Sequence, residues 1–283
     1  IGGSGLYNLD FLENINSFKK TSSWGDPSDN IIEGYINGKK IYFLSRHGKG
    51  HKLSPSSINY RANIDCLKQC GVTDIISLSA VGSLKDSLSP GTFVIVDQFI
   101  DRTIKREKSF FNSGIVAHVP MSDPTCKELM KLSKKTLDDL KINNILGGTY
   151  LAMEGPQFST KAESNLYRNW DCDVIGMTNM PEAKLAKEAE IRYCSISMVT
   201  DYDCWHPNHD SVTMDIVINT MKKNHFNSKQ FIKSFVSNYY EGIDFSLDTT
   251  QNILDNSIVT DIKNWDNETK IKLKYILQRY MKV

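Results

Sequence analysis

The chain has no excess of either charge: 34 Lys and Arg residues stand against 33 Asp and Glu, a formal net charge of +1. That balance lacks the basic footprint on which nucleic-acid or anionic-membrane binding usually depends, and it favours a small-molecule ligand. The six cysteines, at positions 66, 70, 126, 172, 194 and 204, contain no Cys-x-x-Cys pair. They read as reduced, mostly buried thiols of a cytosolic protein rather than a disulfide framework. No apolar run approaches the roughly twenty residues that span a bilayer, and the glycine-rich opening has no basic-plus-apolar signal. Neither secretion nor membrane insertion is expected; the expected location is cytoplasmic, with the nucleus also open. The chain opens at Ile1 without a methionine, so a short leading piece is expected to be absent from it.

With 283 residues, 40% of them apolar and 24% charged, the chain can bury a substantial core as one domain over 1–283. Extended and helical patterns alternate along it. Ile31 to Ile36 and Lys40 to Leu44 are β-prone runs joined at Asn37-Gly38, a dipeptide that tolerates the positive φ of a tight hairpin. After Ser54-Pro55, residues Ile58, Ala62 and Cys66 recur at helical spacing until Gly71 stops the helix. Thr73 to Ser79, Thr92 to Asp97, Thr149 to Met153, Asp173 to Met177 and Ile191 to Thr200 read as strands. Asp123 to Leu140 and Pro181 to Glu190 read as helices between them. This alternation predicts an α/β fold with a largely parallel or mixed sheet covered by helices on both faces. From about Ser211 the pattern is helical to the end, with Met214, Val217, Ile218 and Met221 on one face and Ile271, Leu273, Ile276, Leu277 and Tyr280 near the terminus, broken up by Asn/Asp-containing connections such as Asp244 to Asn256.

Ligands of such sheets bind at the carboxyl ends of strands, beside helix N-termini. Six such segments carry polar groups. Ile1-Gly2-Gly3-Ser4-Gly5 allows a tight turn whose amides and Ser4 hydroxyl can meet an anion, but it fits neither the dinucleotide fingerprint nor the P-loop, and alone is an ordinary turn. Ser45-Arg46-His47-Gly48-Lys49-Gly50-His51 follows an apolar strand; its guanidinium fork suits phosphate oxygens and a histidine adds a donor, against the alternative of a solvated basic loop. Ser79-Ala80-Val81-Gly82-Ser83 offers backbone amides a close approach to a ligand. Met153 to Ser159 precedes a helix and presents Phe158, which can stack on a base; Met177-Thr178 ends an apolar strand, and Thr178 can donate to an oxyanion. Asp201-Tyr202-Asp203-Cys204-Trp205 places two carboxylates at i and i+2. Crowded together beside an aromatic ring they resist double ionisation, which suits a group that holds or relays a proton. No third ligand at convincing spacing turns that pair into a metal site.

Taken in order, Gly-Gly-Ser-Gly, Ser-Arg-His-Gly, Ser-Ala-Val-Gly-Ser, Glu-Gly-Pro-Gln-Phe-Ser, Gly-Met-Thr-Asn-Met-Pro-Glu and Thr-Asp-Tyr-Asp-Cys-Trp resemble the trimeric purine nucleoside phosphorylase family. Asn59 to Ile64, Asp97 to Thr103 and Asp201 to Trp205 are similar to its methylthioadenosine phosphorylase branch. The likeness runs from Ile1 to about Met221. It implies a single domain built on a central mixed, partly barrel-like sheet flanked by helices, with inorganic phosphate as co-substrate and neither metal nor organic cofactor. By the same resemblance phosphate lies against Ser4, Arg46, His47, Ser79, Ala80 and Thr178. The purine lies between Phe158 and Met177, with Ser159 and His51 also at the substrate, and Asp201 faces its N7 and amino group with Asp203 close by. A homotrimer is implied, in which His118 reaches a neighbouring site while Met214, Val217 and Ile218 wall in a 5′-methylthio group.

The oxopurine branch carries glutamate and asparagine where this chain has Ser159 and Asp201. Adenine presents an acceptor at N1 and a donor at its amino group, so this exchange favours 6-aminopurines; mispaired buried polar groups discriminate by roughly 10⁴-fold. The reaction implied is phosphorolysis of methylthioadenosine, with Asp201 sharing or donating a proton at N7. The alternative is a purine nucleoside phosphorylase of broader adenosine or 6-oxopurine specificity. The chain departs from the branch at Arg61, usually glutamine; at Ser79, usually threonine; at Gly176, usually asparagine; and at Asn179 after Thr178.

Overall fold

The computed structural model describes residues 1–3, 10–206, 214–239 and 243–281, with side chains from 220 onward in the helix that starts at 214. A small antiparallel sheet comes first, with β1 (Glu13–Phe18), β2 (Ile31–Ile36) and β3 (Lys39–Phe43) in that order. Its β2–β3 hairpin turns on Asn37 (φ 49°) and Gly38 (φ 72°), the paired positive φ that the dipeptide predicts. The helix expected from Ser54-Pro55 is split. A 3-10 turn at Pro55–Ser57 is separated from α1 (Tyr60–Gln69) by Ile58, which is extended, and Asn59 caps α1 by accepting from the Ala62 amide.

The main sheet holds β4 (Asp74–Ser83), β5 (Phe93–Val96), β6 (Gln98–Asp101), β7 (Asn144–Leu146), β8 (Thr149–Ala152), β9 (Val174–Gly176) and β10 (Arg192–Asp201). Their order is β6-β8-β9-β4-β10-β5-β7, with parallel pairs at β4–β10, β5–β7, β6–β8 and β8–β9 and antiparallel pairs at β10–β5 and β4–β9. Only Asp97 separates β5 from β6, and only Gly147 and Gly148 separate β7 from β8, yet each of these pairs lies toward opposite edges of the sheet. Chain continuity therefore brings the edges together, because one or two residues span only a few ångströms. The sheet curls into an incomplete barrel, and Asp97 Oδ1 accepts from the Gly148 amide (2.8 Å) at the seam.

The helices α2 (Lys127–Asp139), α3 (Lys161–Asn169), α4 (Glu182–Glu188) and α5 (Met214–Asn238) flank this sheet. In β10, alternate residues serve two cores, as the two-residue period of a strand requires. Cys194, Ile196 and Met198 pack with Leu78, Phe93 and Ile95 against Phe231 and Phe235 of α5. Tyr193 and Val199 face the other way, and between them Ser195 and Ser197 are fully buried. On β4, Ser77 and Ser79 repeat that pattern. The inner face is thus polar in its middle, and the site is built there.

The carboxyl-terminal part is broken up, as its Asn/Asp-containing connections predict, but it holds less α-helix than expected. After α5 come 3-10 turns at Thr250–Asn256 and Ile262–Asn264 and a short α6 (Asn267–Lys272). Leu273, Ile276 and Leu277 are buried, but Ile271 is 67% exposed, because helical periodicity does not continue far enough to set one face. Among the described residues no helix is long and apolar enough to cross a membrane, and all six cysteines are free thiols. A cavity of about 500 Å³ lies between the edge of β3, the start of β4, Ile232, Phe235 and Val236 of α5 and Tyr239 just after it. Apart from Ile1 and Leu78 it shares no residue with the strand-end groups described next.

Candidate active site

Residues 1–3 thread between the two sheets. Gly2 pairs in parallel with both Ser45 and Leu78, and its carbonyl accepts from the Arg46 amide (2.9 Å). This brings the end of β3 against the middle of β4. Gly3 is required there, because a Cβ would lie 2.8 Å from the Leu78 carbonyl and 3.0 Å from Arg46 Nη1. Ser4, predicted to meet phosphate, lies outside the described residues.

Arg46 is fully buried. Its Nε and Nη2 donate to the Glu182 carboxylate at 2.8 and 3.1 Å, and Nη2 also donates to Ser77 Oγ at 2.5 Å. Nη1 makes the looser bonds, to the Leu78 carbonyl (3.2 Å) and Ser79 Oγ (3.4 Å). Those two long donors are the ones free to re-aim at a ligand; the rest hold the guanidinium in place. Burial would raise the Glu182 pKa, but the Arg46 charge and its hydrogen bonds, with Ser77, bring it down to about 2. Tyr193 adds a donor at 2.8 Å. The pair is an ionised, fully paired unit, the form in which buried charge is tolerated.

Around Arg46, Ser79 donates to Asn179 Oδ1 (2.7 Å) and lies 3.4 Å from Thr178 Oγ1, while Thr178 donates its amide to the Tyr150 hydroxyl (3.3 Å). The structure therefore brings Arg46, Ser79 and Thr178 together. Ala80 borders a small cavity with Met198, Thr200 and Met221. His47 Nδ1 is 2.9 Å from the Leu53 carbonyl, which can only accept, so Nδ1 carries the proton. Burial lowers the His47 pKa to about 4. The neutral ring consequently has an accepting Nε2, where the sequence reading expects a donor. His51 stacks on it with centroids 4.1 Å apart, and burial lowers its pKa as well.

The carboxylates lie further along the same strand pair. Beyond a bulge after Val199, Asp201 pairs with Gly82 of β4. Ser79 and Gly82 are three residues apart, roughly 10 Å along a strand, which is the order of length a phosphate, sugar and base occupy in line. Asp201 Oδ2 accepts from Thr200 Oγ1 (2.7 Å) and Oδ1 from the Asp203 amide (2.8 Å). Gly82 leaves room for this carboxyl, since a Cβ there would come within 3.0 Å of Asp201 Oδ1. Burial raises both the Asp201 and Asp203 pKa values, and for Asp201 the charge of Asp203 pushes the same way. Both groups thus retain protons to higher pH than ordinary aspartates.

The remaining predicted residues fall between or beside these two ends. Ser159 is buried, and its carbonyl accepts from Cys204 Sγ (3.3 Å), which docks the 154–159 turn on the Asp203 side. Met177 packs its thioether against Gly155, the left-handed residue (φ 68°) of that turn. Phe158 is 50% exposed on the same turn. His118 is exposed, with its amide bonded to the Ser257 carbonyl (2.8 Å). The side chains of Met214, Val217 and Ile218 lie outside those described.

A family profile described as the phosphorylase superfamily matches residues 1–237. The chain belongs to the phosphorylase superfamily. It is 54% identical to the S-methyl-5′-thioadenosine phosphorylase of Rhodospirillum rubrum over 92% of this chain and 88% of that one. It is 48% identical to the protein of the same name from Cereibacter sphaeroides, over 100% of this chain and 97% of that one. Among solved structures, a methylthioadenosine phosphorylase from an antarctic soil metagenomic library superposes with a TM-score of 0.89 at 45% identity, covering 98% of this chain and 96% of that one. The Schistosoma mansoni methylthioadenosine phosphorylase in complex with adenine superposes at 0.86 with 31% identity, covering 90% and 96%.

The structure of this superfamily member also gives reasons for its departures from the branch pattern. At Gly176 a Cβ would overlap the Tyr150 hydroxyl, so only glycine fits beside that tyrosine. Asn179 adopts φ 69°, which asparagine tolerates, and its carboxamide bridges Ser79 and Ser195 inside the core. Arg61 lies over the Trp24 ring (4.5 Å) and near Glu107 (3.5 Å). Sequence reasoning passed over Glu182, Ser77, Asn179 and Tyr150 as members of the site. Serines alternating through apolar strands at 77 and 79 and at 195 and 197 are the signal that could have revealed a buried polar network. Glu182 gives no such signal, because an acid in the first turn of a helix is ordinarily a solvated cap.

Proposed function

We propose that this chain cleaves S-methyl-5′-thioadenosine with inorganic phosphate, releasing adenine and 5-methylthioribose 1-phosphate. The observation that carries the reading is the strand pair β4–β10, which holds an anchored guanidinium with hydroxyls at Ser79 and Thr178 at one end and a proton-retaining carboxyl pair at the other. Relatives named for this activity cover nearly the whole chain.

In this reading hydrogen phosphate sits against Arg46, Ser79, Thr178, the Ala80 amide and Ser4, and its P–OH donates to the accepting Nε2 of His47. The C1′–N9 bond stretches, and its electron pair leaves with the purine. A phosphate oxygen bonds to C1′, and Asp201 delivers its proton to N7 so that adenine departs neutral. The proton of the original hydrogen phosphate is released as the sugar phosphate forms and restores Asp201 through solvent. Asp203 holds Asp201 through its amide and resists its ionisation. Phe158 and Met177 flank the purine, with Ser159 and His51 at the substrate. A homotrimer places His118 in the neighbouring site, and Met214, Val217 and Ile218 form the apolar wall, where a methylthio group is buried without stranding a polar atom. Phosphate is the co-substrate, with no resident metal or organic cofactor, and the protein works in the cytoplasm.

Release of free adenine from methylthioadenosine with and without phosphate tests this directly. Release only with phosphate supports it. Equal release without phosphate makes the protein a hydrolase, and faster turnover of inosine than of methylthioadenosine makes it an oxopurine enzyme.

A further inference from the structure

Arg106 belongs to none of the motifs above, yet its side chain is 1% exposed and lies behind the proposed purine site. It sits in the 102–115 segment that follows β6. Nη1 donates to the Met180 carbonyl (2.7 Å) and the Tyr60 hydroxyl (3.2 Å), Nη2 to the carbonyls of Glu154 (2.9 Å) and Met153 (3.4 Å), and Nε to Ser56 Oγ (3.2 Å). One rigid fork therefore ties three segments far apart in sequence. The first follows the Arg46–His47 loop, the second opens the turn that carries Phe158, and the third closes the turn that carries Met177 and Thr178. Glu154 reinforces the brace from the other side, accepting the Ile104 and Lys105 amides on Oε2 and the Ser56 hydroxyl on Oε1.

We infer that Arg106 is a positioning residue for the purine slot, fixing the gap between the Phe158 turn and the Met177–Thr178 turn from behind, without touching substrate. This rests on the reading of Phe158 and Met177 as purine walls. The guanidinium is suited to the task because it offers five donors in a fixed plane, and only such a fork reaches carbonyls on two separate turns at once. Without it those buried carbonyls lose their donors and the turns can drift apart, so a planar base is held less well.

The test compares wild type, Arg106→Lys and Arg106→Ala, each checked for folding by circular dichroism. Calorimetric adenine affinity is measured alongside separate KM and kcat values for methylthioadenosine. The expected result is an adenine Kd and a nucleoside KM both about tenfold or more above wild type, with Lys intermediate and guanidinium ion restoring part of the loss in the Ala variant. Partial unfolding alone lowers kcat through the fraction of active enzyme and leaves Kd and KM unchanged; that outcome, or wild-type affinities in either folded variant, overturns the proposal. If the Ala variant is not recovered folded, the Lys variant decides, since it keeps the charge and most of the stem. Wild type that releases no adenine in the presence of phosphate sinks the functional reading instead, and adenine affinity still reports on Arg106.

Discussion

At Asp201 a strand bulge, a hydroxyl and a neighbouring amide all converge on one carboxyl, and burial keeps it protonated above the usual range. Asp201→Asn retains shape but cannot deliver a proton, so turnover of methylthioadenosine should fall by about 10²-fold or more; kcat at saturating phosphate measures it, and near-normal kcat removes Asp201 from the mechanism. Because the acid must be protonated to act, kcat/KM in wild type should decline as pH rises through the raised pKa, a limb the Asn variant should lack. Glu182→Gln tests the other end. Its partner Arg46 would be left as an uncompensated buried charge, which costs about 3–5 kcal/mol and can be read from urea unfolding at pH 7. The sign follows from the carboxyl, whose pKa drops from 4.5 unfolded to about 2 folded. Its stabilising contribution is complete above 4.5 and disappears as pH falls toward 2, so the gap between variant and wild type should close over that interval. The residue types at Arg46, Thr178 and Asp201 were readable from the chain; that every donor of Arg46 already has a protein partner was not.

At the level of elements, α4 joins the site to the loop behind it. Glu182 in its first turn serves Arg46, and Glu188 near its end accepts from the Phe110 amide (2.7 Å) and Ser109 Oγ (2.7 Å). Burial raises the Glu188 pKa from 4.5 to about 7. A carboxyl whose folded pKa lies above its unfolded one binds more protons in the native state, so stability falls as pH rises from 4.5 through 7. Glu188→Gln escapes that penalty and still accepts a hydrogen bond. Its melting temperature relative to wild type should rise between pH 5 and pH 8, and a constant difference across that range would contradict the assignment. The longer strands β2, β4 and β10 were legible because apolar runs bounded by turn residues are strand signals. The short strands Gln98–Asp101 and Asn144–Leu146, and the largely exposed Glu13–Phe18, were not. Too short or too polar to show a period, they are extended because a neighbouring strand supplies their hydrogen bonds.

For the whole molecule, a ligand that binds only the folded site must raise its stability. Adenine at about 100 times its Kd stabilises by about 2.7 kcal/mol, which for a domain of this size is a rise of about 5 °C or more in melting temperature. Adenine should produce that shift and hypoxanthine should not, and scanning fluorimetry can compare the two. The proposed trimer is checked separately by analytical ultracentrifugation, with His118→Ala lowering kcat/KM for methylthioadenosine while leaving the sedimenting species unchanged; a monomer of full activity would exclude a shared site.

By itself the sequence determined the superfamily, the alternation of strands and helices, and the kinds of chemical group available, because turn residues, strand periodicity and motif order are local properties of a chain. It could not decide which groups are exposed to a ligand and which are consumed by the protein. Arg46 and Glu182 are 136 residues apart, and Arg106 and Met180 are 74 apart. Only folding brings them together away from water, where the charge of Arg46 holds Glu182 ionised, burial raises the pKa of both aspartates and the Arg106 guanidinium meets two turns at once.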